Sequence, residues 1–285
     1  MTTIAEVKKH QVLDHGYVRF IEAWGRGDAG MPEAGIIEAA RQSTQGSFRM
    51  WAPYEACELC WAWRYRSEHP IPGMYWGSNG EPECNHKWKN FPRGDEGLLS
   101  FLFNNKPQHT TPFEFAGLII EVQAPIFVFR EWHRHRTQSY NEMSARYAPL
   151  PALDYVPTIE RLLQGSSHVT FNKQAQAQSG AKVLTSHKAA AFSERLKQKQ
   201  RELEELYQEA LEDGVPKELA RGAMTVNRYS RMRASANLRN WLGFMTLRAD
   251  KGAQWEIRQF AHAVGTIISE QMPRTWKLFE LARAV

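Results

Sequence analysis

One stretch near the middle of the chain joins an apolar run to an unbroken series of polar side chains. The run from Phe115 to Phe129 has the composition of a strand followed by a helix, with Pro125 at the helix start. The next segment, Glu131 to Tyr147, reads EWHRHRTQSYNEMSARY and places arginines, histidines, carboxylates and hydroxyls close together. A solvated helix face would instead space its charges every third or fourth residue. The pattern predicts a polar site at the end of a strand–helix unit.

The residue types of this segment suit a ligand that carries phosphate and also has polar edges. Guanidinium groups bind phosphate oxygens in a forked geometry, and hydroxyl and carboxylate groups can pair with the polar edges. A basic, exposed turn that binds nothing is the alternative, because basic clusters are common on protein surfaces. Composition alone leaves both interpretations open.

The composition of the whole chain favours an anionic partner without selecting a nucleic acid. The net charge is +5 and the pI is about 9.1, which suits nucleotides as well as polynucleotides. This excess is small for 285 residues and acidic residues are spread throughout, so it does not by itself indicate a DNA-binding surface. The hydrophobic content of 42% is enough for one large domain or two modest ones.

Membrane insertion and secretion are not expected. The apolar run that ends at Phe129 is interrupted by Glu121, Gln123 and Pro125, so it is too short to cross a bilayer. The first ten residues contain no hydrophobic signal region. A cytoplasmic protein is therefore predicted.

Hydrophobic periodicity and punctuation by Gly and Pro predict a mixture of strands and helices. Strands are expected at 16–24, 115–123 and near 230–236. Helices are expected at 32–41, from 96 with Asp95 as its N-cap, from 125, and at 181–213, 216–227, 237–246, 253–271 and 273–284.

Residues 46–94 differ in composition from the rest and are expected to form a local insertion. They contain all three cysteines of the chain, five of its ten tryptophans and several Gly and Pro. Two close pairs of thiol and imidazole groups are a common arrangement for structural zinc. Three reduced, free thiols are the alternative. The candidate ligands are Cys57, Cys60, Cys84 and His86, with His69 as a substitute for His86.

The central segment resembles the signature of the flavin-dependent thymidylate synthases. Arg134-His135-Arg136 is followed, after seven residues, by Ser144, and Asn141-Glu142 and Arg146-Tyr147 continue the match. Similar segments follow one another in the family's order over about two thirds of the chain. They are Ala40–Ser43, His109–Glu114, Gln123–Val128, Leu219–Arg221, Ala236–Arg239, Leu247–Asp250 and Ala253–Glu256.

The resemblance implies a fold, a reaction and an assembly. The fold would be α+β, a single domain over residues 1–285 with a central mixed or antiparallel sheet flanked by long helices. The reaction would be reductive methylation of dUMP to dTMP, with methylenetetrahydrofolate as one-carbon donor, FAD as hydride carrier and NADPH as reductant. The enzyme would be a homotetramer whose active sites draw residues from several subunits, with no membrane or nucleic-acid partner.

The resemblance also assigns roles in flavin binding. Arg134, His135 and Arg136 would contact the phosphates of the flavin and the nucleotide. Ser43, His109, Thr111 and Glu114 would line the flavin, with His109 near its reactive ring. Asn237 and Arg239 would hold the flavin of another subunit.

The nucleotide site implied by the resemblance is built mainly from the second half of the central segment. Its residues would be Glu131, Arg134, Glu142, Ser144, Ala145, Arg146, Tyr147, Arg221 and Arg248. Arg248 would lie beside the pyrimidine and offset negative charge that develops on its carbonyls. Ser144 is interpreted as a positioning hydroxyl, because the sequence specifies no base that could activate it as a nucleophile. Arg248, His109 and Ser144 are the expected catalytic residues.

Four positions depart from the family's pattern. Glu131 stands where the family has Gln, Ala145 where it has Gly, Gly243 where it often has Asn, and Gly252 where it often has His. Together with the insertion, Glu131 and Gly252 motivate an alternative, a flavin-dependent dUMP hydroxymethylase or another enzyme that modifies C5 of a pyrimidine nucleotide. A nucleic-acid-binding protein is a third hypothesis, and it leaves the matches at His109–Glu114 and Arg248–Glu256 unexplained.

Overall fold

A computed structural model describes residues 9–49, 51, 95–166 and 183–283, together with the backbone of two short strands at 75–76 and 82–83. The proposed zinc ligands lie outside these residues, so the structure does not test the metal site. The outlying positions are Cys57, Cys60, His69, Cys84 and His86.

The strands form a five-stranded sheet and a separate two-stranded pair. In chain order they are β1 (Lys9–Val12), β2 (Gly16–Trp24), β3 (Tyr75–Trp76), β4 (Pro82–Glu83), β5 (Gly117–Pro125), β6 (Ser139–Glu142) and β7 (Tyr229–Asn237). The order across the large sheet is β1-β2-β5-β7-β6. β1 pairs with β2, β5 with β7 and β6 with β7, in each case antiparallel.

Alternation of side chains explains why β5 lies at the centre of this sheet. Leu118, Ile120, Val122 and Ala124 are buried, and these alternate positions share one face of a strand. The indole of Trp241 closes over this face and donates a hydrogen bond from Nε1 to the carbonyl of Leu118 at 3.0 Å. One face of the sheet is thus covered by helix, as expected for an α+β fold.

The helices are mostly those that periodicity predicted. In chain order they are α1 (Ala34–Arg41), α2 (Glu96–Asn104), α3 (Ile126–Trp132), α4 (Ile159–Ser166), α5 (Ser186–Glu212), α6 (Lys217–Ala220), α7 (Leu238–Arg248), α8 (Trp255–Gln271) and α9 (Pro273–Arg283), with 3₁₀ turns at Gln42–Thr44, Thr111–Phe115 and Arg221–Ala223. None of the helices in the described part of the chain is both long and apolar enough to cross a membrane.

The chain divides into two compact units. The first consists of Met1–Ala23 and Gly117–Glu270 and contains nearly all of the sheet, and the second consists of Trp24–Ala116 and Gln271–Val285. The second unit is organised by two buried carboxylates. Asp95 is fully buried, ion-pairs with Arg41 and accepts the backbone N–H of Arg49 at 2.7 Å. Glu33 accepts the N–H of Thr275 at 2.6 Å at the start of α9.

Two sequence predictions are corrected by these elements, and one strand was missed. The helix expected at 216–227 is wrong, because α6 and its 3₁₀ turn end at Ala223 and Met224 is extended. Asp95 does precede α2, yet its side chain makes no capping hydrogen bond because Arg41 and Arg49 occupy it. β6 was not predicted, since its sequence SYNE has no apolar alternation.

Candidate active site

The short helix α3 leads directly into the central segment, residues 131–147. Val128, Phe129 and Trp132 are buried and anchor the helix in the first unit. The chain then turns, with the N–H of His135 bonded to the carbonyl of Trp132 at 3.0 Å. The Trp132 indole donates to the Gln138 side-chain oxygen at 3.1 Å, which closes the turn from inside. A run of polar residues is therefore held rigidly by an apolar base.

Arg248, at the end of α7, donates hydrogen bonds from all three nitrogens of its guanidinium group to Glu131 and His135. Nε donates to Nε2 of His135 at 2.9 Å, Nη1 donates to the Glu131 carboxylate at 2.8 Å, and Nη2 donates to the Glu131 carbonyl at 2.8 Å. The Arg248 side chain is 15% exposed and that of Glu131 39% exposed. Three residues that the resemblance assigned to the site are thus in direct contact.

Burial and this contact together set the charge state of His135. Its Nε2 accepts a hydrogen bond, so a proton on the ring belongs on Nδ1. Burial, followed by the nearby Arg248 cation, lowers the pKa of His135 to about 4, while Glu131 acts in the opposite direction. His135 is therefore a neutral acceptor at neutral pH, and the phosphate-binding charge of this turn must come from its arginines.

Tyr140 holds the turn from the other side. Its hydroxyl lies 2.8 Å from the carbonyl of His135 and 3.1 Å from that of Trp132, and donates to this pair of acceptors. Its ring packs edge-on against His133, with centroids 4.8 Å apart. Burial raises the pKa of the Tyr140 phenol, so it stays a donor. The tyrosine, which sequence reasoning did not assign, fixes the backbone that carries His135.

A cleft of about 410 Å³ is lined by four of the predicted nucleotide-binding residues. They are Glu142, Ser144, Ala145 and Arg221. Glu142 ends β6, and the N–H of the next residue, Met143, bonds to the carbonyl of Arg231 at 2.7 Å, which continues the pairing with β7. A carboxylate, a hydroxyl and a guanidinium thus face one space large enough for a small ligand.

Arg130 lines the same cleft, and sequence reasoning missed it. Ile126 lines the cleft as well, and residues four apart lie on the same side of a helix. Helical spacing could have identified this arginine once Ile126 was placed at the site. With Arg221, it gives the cleft two guanidinium groups, a donor set suited to phosphate.

Four other residues of the segment that the resemblance assigned to the site are more exposed. Arg134 and Arg136 project from the turn and are open to solvent. Arg146 ion-pairs with Glu218 at 3.1 Å on the surface. The ring of Tyr147 is 79% exposed. None of these four is placed by the structure among the residues that line the cleft.

The predicted flavin residues of α7 lie at its start. The Asn237 side chain accepts the N–H of Asn240 at 3.0 Å and caps the helix. Arg239 lies on the exposed side of the first turn. An exposed cation beside a helix N-terminus suits an anionic group.

The other predicted flavin residues belong to the second unit. Ser43 bonds back to the carbonyl of Ala40 at 3.2 Å in the 3₁₀ turn after α1. His109 stacks on Phe101 with ring centroids 5.6 Å apart. Thr111 begins the next 3₁₀ turn and Glu114 is exposed within it. Within this unit, α1 packs against that turn.

In the part of the chain that the structure describes, no group of three or more His, Cys, Asp or Glu side chains could hold a metal ion. Metal binding by Cys57, Cys60, Cys84 and His86 stays a prediction, because these residues lie outside the described part of the chain.

Comparison with known proteins decides the family. Residues 31–274 match the sequence profile of the thymidylate synthase complementing protein family. The chain belongs to this family. Relatives are named flavin-dependent thymidylate synthase, among them a protein from Thermus thermophilus, 38% identical over 66% of this chain and 64% of its own length. The protein from Ehrlichia ruminantium strain Gardel is 34% identical over 95% of this chain and 73% of its own length.

A solved structure has a similar fold. The crystal structure of the UMP/dUMP methylase PolB from Streptomyces cacaoi, bound with 5-Br dUMP, has a TM-score of 0.65. It is 24% identical, and the match covers 95% of this chain and 97% of that chain. At this identity the likeness shows the fold. The chain spans slightly less than two thirds of the length of the Thermus relative.

Proposed function

We propose that this member of the family converts dUMP to dTMP by reductive methylation at C5. The observation that carries the proposal is the cleft, because it brings Glu142 and Ser144 together with Arg221, which comes from a distant part of the chain. Arg130 adds a second cation there. Two guanidinium groups suit the nucleotide phosphate, and the hydroxyl and carboxylate suit sugar and base edges.

Arg248 would stabilise the pyrimidine as its ring becomes electron-rich. Its guanidinium is already ordered by Glu131 and His135, and a fixed cation costs little reorganisation when charge develops. Because His135 is neutral, it does not compete with Arg248 as a cation. The chain would thus supply orientation and charge stabilisation, while redox chemistry belongs to a cofactor.

The exposed residues around the turn fit a flavin dinucleotide. Arg134 and Arg136 offer guanidinium groups for a pyrophosphate, and Arg239 lies at the start of α7. Within the second unit, His109 stacks on Phe101. This aromatic pair suits packing against the planar ring of a flavin. FAD, once reduced by NADPH, would supply the hydride that reduces the transferred one-carbon unit. NADPH and methylenetetrahydrofolate complete the proposed set of co-substrates.

We also propose a homotetramer located in the cytoplasm. Large apolar side chains are exposed on the first unit, including Leu219 at 66% and Leu247 at 62%. Leu219 lies two residues before Arg221 and Leu247 directly before Arg248, and both arginines are assigned to the nucleotide site. Exposed apolar groups next to a site suit a contact between subunits. Sedimentation velocity on the purified protein would give the assembly size directly.

A dUMP hydroxymethylase, or another enzyme that modifies C5 of a pyrimidine nucleotide, is the second candidate. The observation that favours it is Glu131, which adds a carboxylate where the family has an amide and pairs it with Arg248. A negative group at this place reduces the net positive charge near the pyrimidine. That change could alter which one-carbon intermediate is reduced.

Mass analysis of the nucleotide product separates the two candidates. Purified protein is incubated with dUMP, methylenetetrahydrofolate, FAD and NADPH, and reactions without each component serve as controls. A methylated product that requires all four components supports the synthase. A hydroxymethylated product supports the second candidate. Absence of any modified nucleotide from a protein that binds flavin would contradict both.

A structural zinc ion at Cys57, Cys60, Cys84 and His86 remains part of the proposal. Its support is the sequence spacing. Elemental analysis should find about one zinc per chain, and Cys57→Ser should remove it. Zinc-free protein that keeps its thermal midpoint would contradict a structural role.

A further inference from the structure

A guanidinium group with two carboxylate partners is buried in the first unit, outside the residues that line the cleft. Arg228 is 2% exposed. Its Nη1 donates to Asp154 at 3.1 Å, and its Nη2 donates to Glu204 of α5. The side chains of Asp154 and Glu204 are partly exposed, at 14% and 24%. Burying the Arg228 guanidinium is costly unless its carboxylate partners are well placed. Such an arrangement stabilises a specific position of the backbone that carries it.

The backbone in question is the turn from Met224 to Arg228. The Thr225 hydroxyl donates to the second oxygen of Asp154 at 3.3 Å, so one carboxylate binds both ends of the turn. The N–H of Arg228 bonds to the carbonyl of Thr225 at 3.2 Å. These bonds explain why the helix expected through residue 227 stops early.

Two sets of contacts link this turn, and through it the Arg228 ion pairs, to the cleft. Met224, Thr225 and Val226 form part of the cleft wall. The carbonyls of Val226 and Arg228 also accept the N–H groups of Phe127 and Ile126, each at 3.0 Å. The first N–H groups of a helix have no partner within the helix. The turn therefore fixes the start of α3, the helix that carries Arg130 and Glu131.

We infer that Arg228, Asp154 and Glu204 are positioning residues for nucleotide binding. They hold the 224–228 turn, and the turn sets both the cleft wall and the placement of Arg130. None of the three lines the cleft, so each would act on the nucleotide through the turn. The inference rests on the proposed function, because it takes the cleft as the dUMP site.

Arg228→Lys is the variant that tests the inference. Lysine keeps the charge but lacks the planar fork that reaches two carboxylates. The KM for dUMP should rise about ten-fold while kcat changes less than about three-fold, because binding geometry is lost and chemistry is retained. Hydrogen exchange at the amides of Ile126 and Phe127 should become faster, which is a readout independent of activity.

A second ion pair provides a matched control. Arg161 donates from Nε to Glu256 at 2.8 Å, and Glu256 is buried. Arg161 and Glu256 are not among the residues of the cleft. Arg161→Lys should lower the thermal midpoint without changing the KM for dUMP or the exchange at Ile126.

The outcomes are distinct. Raised KM and faster exchange in Arg228→Lys, absent in Arg161→Lys, support the inference. An unchanged KM in a folded Arg228→Lys protein overturns it, whatever the thermal midpoint. If Arg228→Lys does not fold, Asp154→Asn, which keeps the shape, is read by the same criteria. A wild-type protein that neither binds nor converts dUMP refutes the proposed function, and the exchange data then decide separately whether these residues hold α3.

Discussion

Arg248 binds Glu131 twice, through the side-chain carboxylate and through the backbone carbonyl, with both distances 2.8 Å. The two residues lie 117 positions apart in the chain. The backbone contact would survive replacement of the Glu131 side chain, and the carboxylate contact would not. Substitutions at the two positions should therefore have different consequences.

Arg248→Ala should abolish most of the activity. It removes the cation proposed to lie beside the pyrimidine, and it leaves Glu131 and His135 without their shared donor. Loss of one preorganised donor costs about 10²–10³ in kcat. Ser144→Ala should lose less, because a hydroxyl contributes a neutral hydrogen bond. Rates of dTMP formation would rank the two, with circular dichroism to verify folding, and normal turnover by Arg248→Ala would refute the nucleotide-site assignment.

Glu131→Gln should release Arg248 for the substrate. The amide keeps a hydrogen-bond acceptor but removes the charge, and a partly exposed ion pair of this kind contributes about 1 kcal/mol or less. The KM for dUMP should fall by up to about five-fold. Steady-state kinetics would measure it, and an increase in KM would show instead that the carboxylate contacts the nucleotide. The same samples should be checked by mass for a change of product.

His135 should titrate far below an ordinary histidine. Its pKa is lowered from 6.5 to about 4, with burial as the main cause and Arg248 as the next. NMR titration of the imidazole should show this value. Arg248→Met should raise the pKa by removing a cation, and Glu131→Gln should lower it further by removing an anion. Equal titration in all three proteins would contradict the proposed contact.

The lowered pKa of His135 also predicts how stability depends on pH. Between about pH 4 and 6.5 the unfolded chain binds a proton at this residue more readily than the folded chain does. The free energy of unfolding contributed by His135 therefore increases with pH across this window and is constant above it. Denaturant unfolding of wild type and His135→Gln should give curves that converge towards pH 4, since only the wild type carries this dependence.

Arg130→Ala should weaken nucleotide binding. A charge-assisted hydrogen bond to phosphate contributes about 1.5–3 kcal/mol, so the KM for dUMP should rise by at least about ten-fold. Arg195, an exposed arginine of α5, provides the control, and Arg195→Ala should leave KM unchanged. Equal KM values for the two variants would remove Arg130 from the site.

The sequence alone determined the local elements and the order of the motifs. Alternation predicted β2 with its observed limits, and helical periodicity placed α7, α8 and α9 to within a few residues. The spacing from Arg134 to Ser144 indicated the family, which the comparisons confirm. These features depend on neighbours in the chain, so they can be read from it.

Tertiary structure decided which polar groups pair with one another. Nothing in the spacing of Arg248, Glu131 and His135 shows that one guanidinium binds both partners, or that burial together with the Arg248 cation keeps His135 neutral. Likewise Arg228 directly follows the helix predicted at 216–227, and the sequence did not show that it is buried beside Asp154 and Glu204, in a turn that ends this helix early. Long-range pairing and desolvation set these outcomes, because the free energy of a charged group depends on what surrounds it in space rather than along the chain.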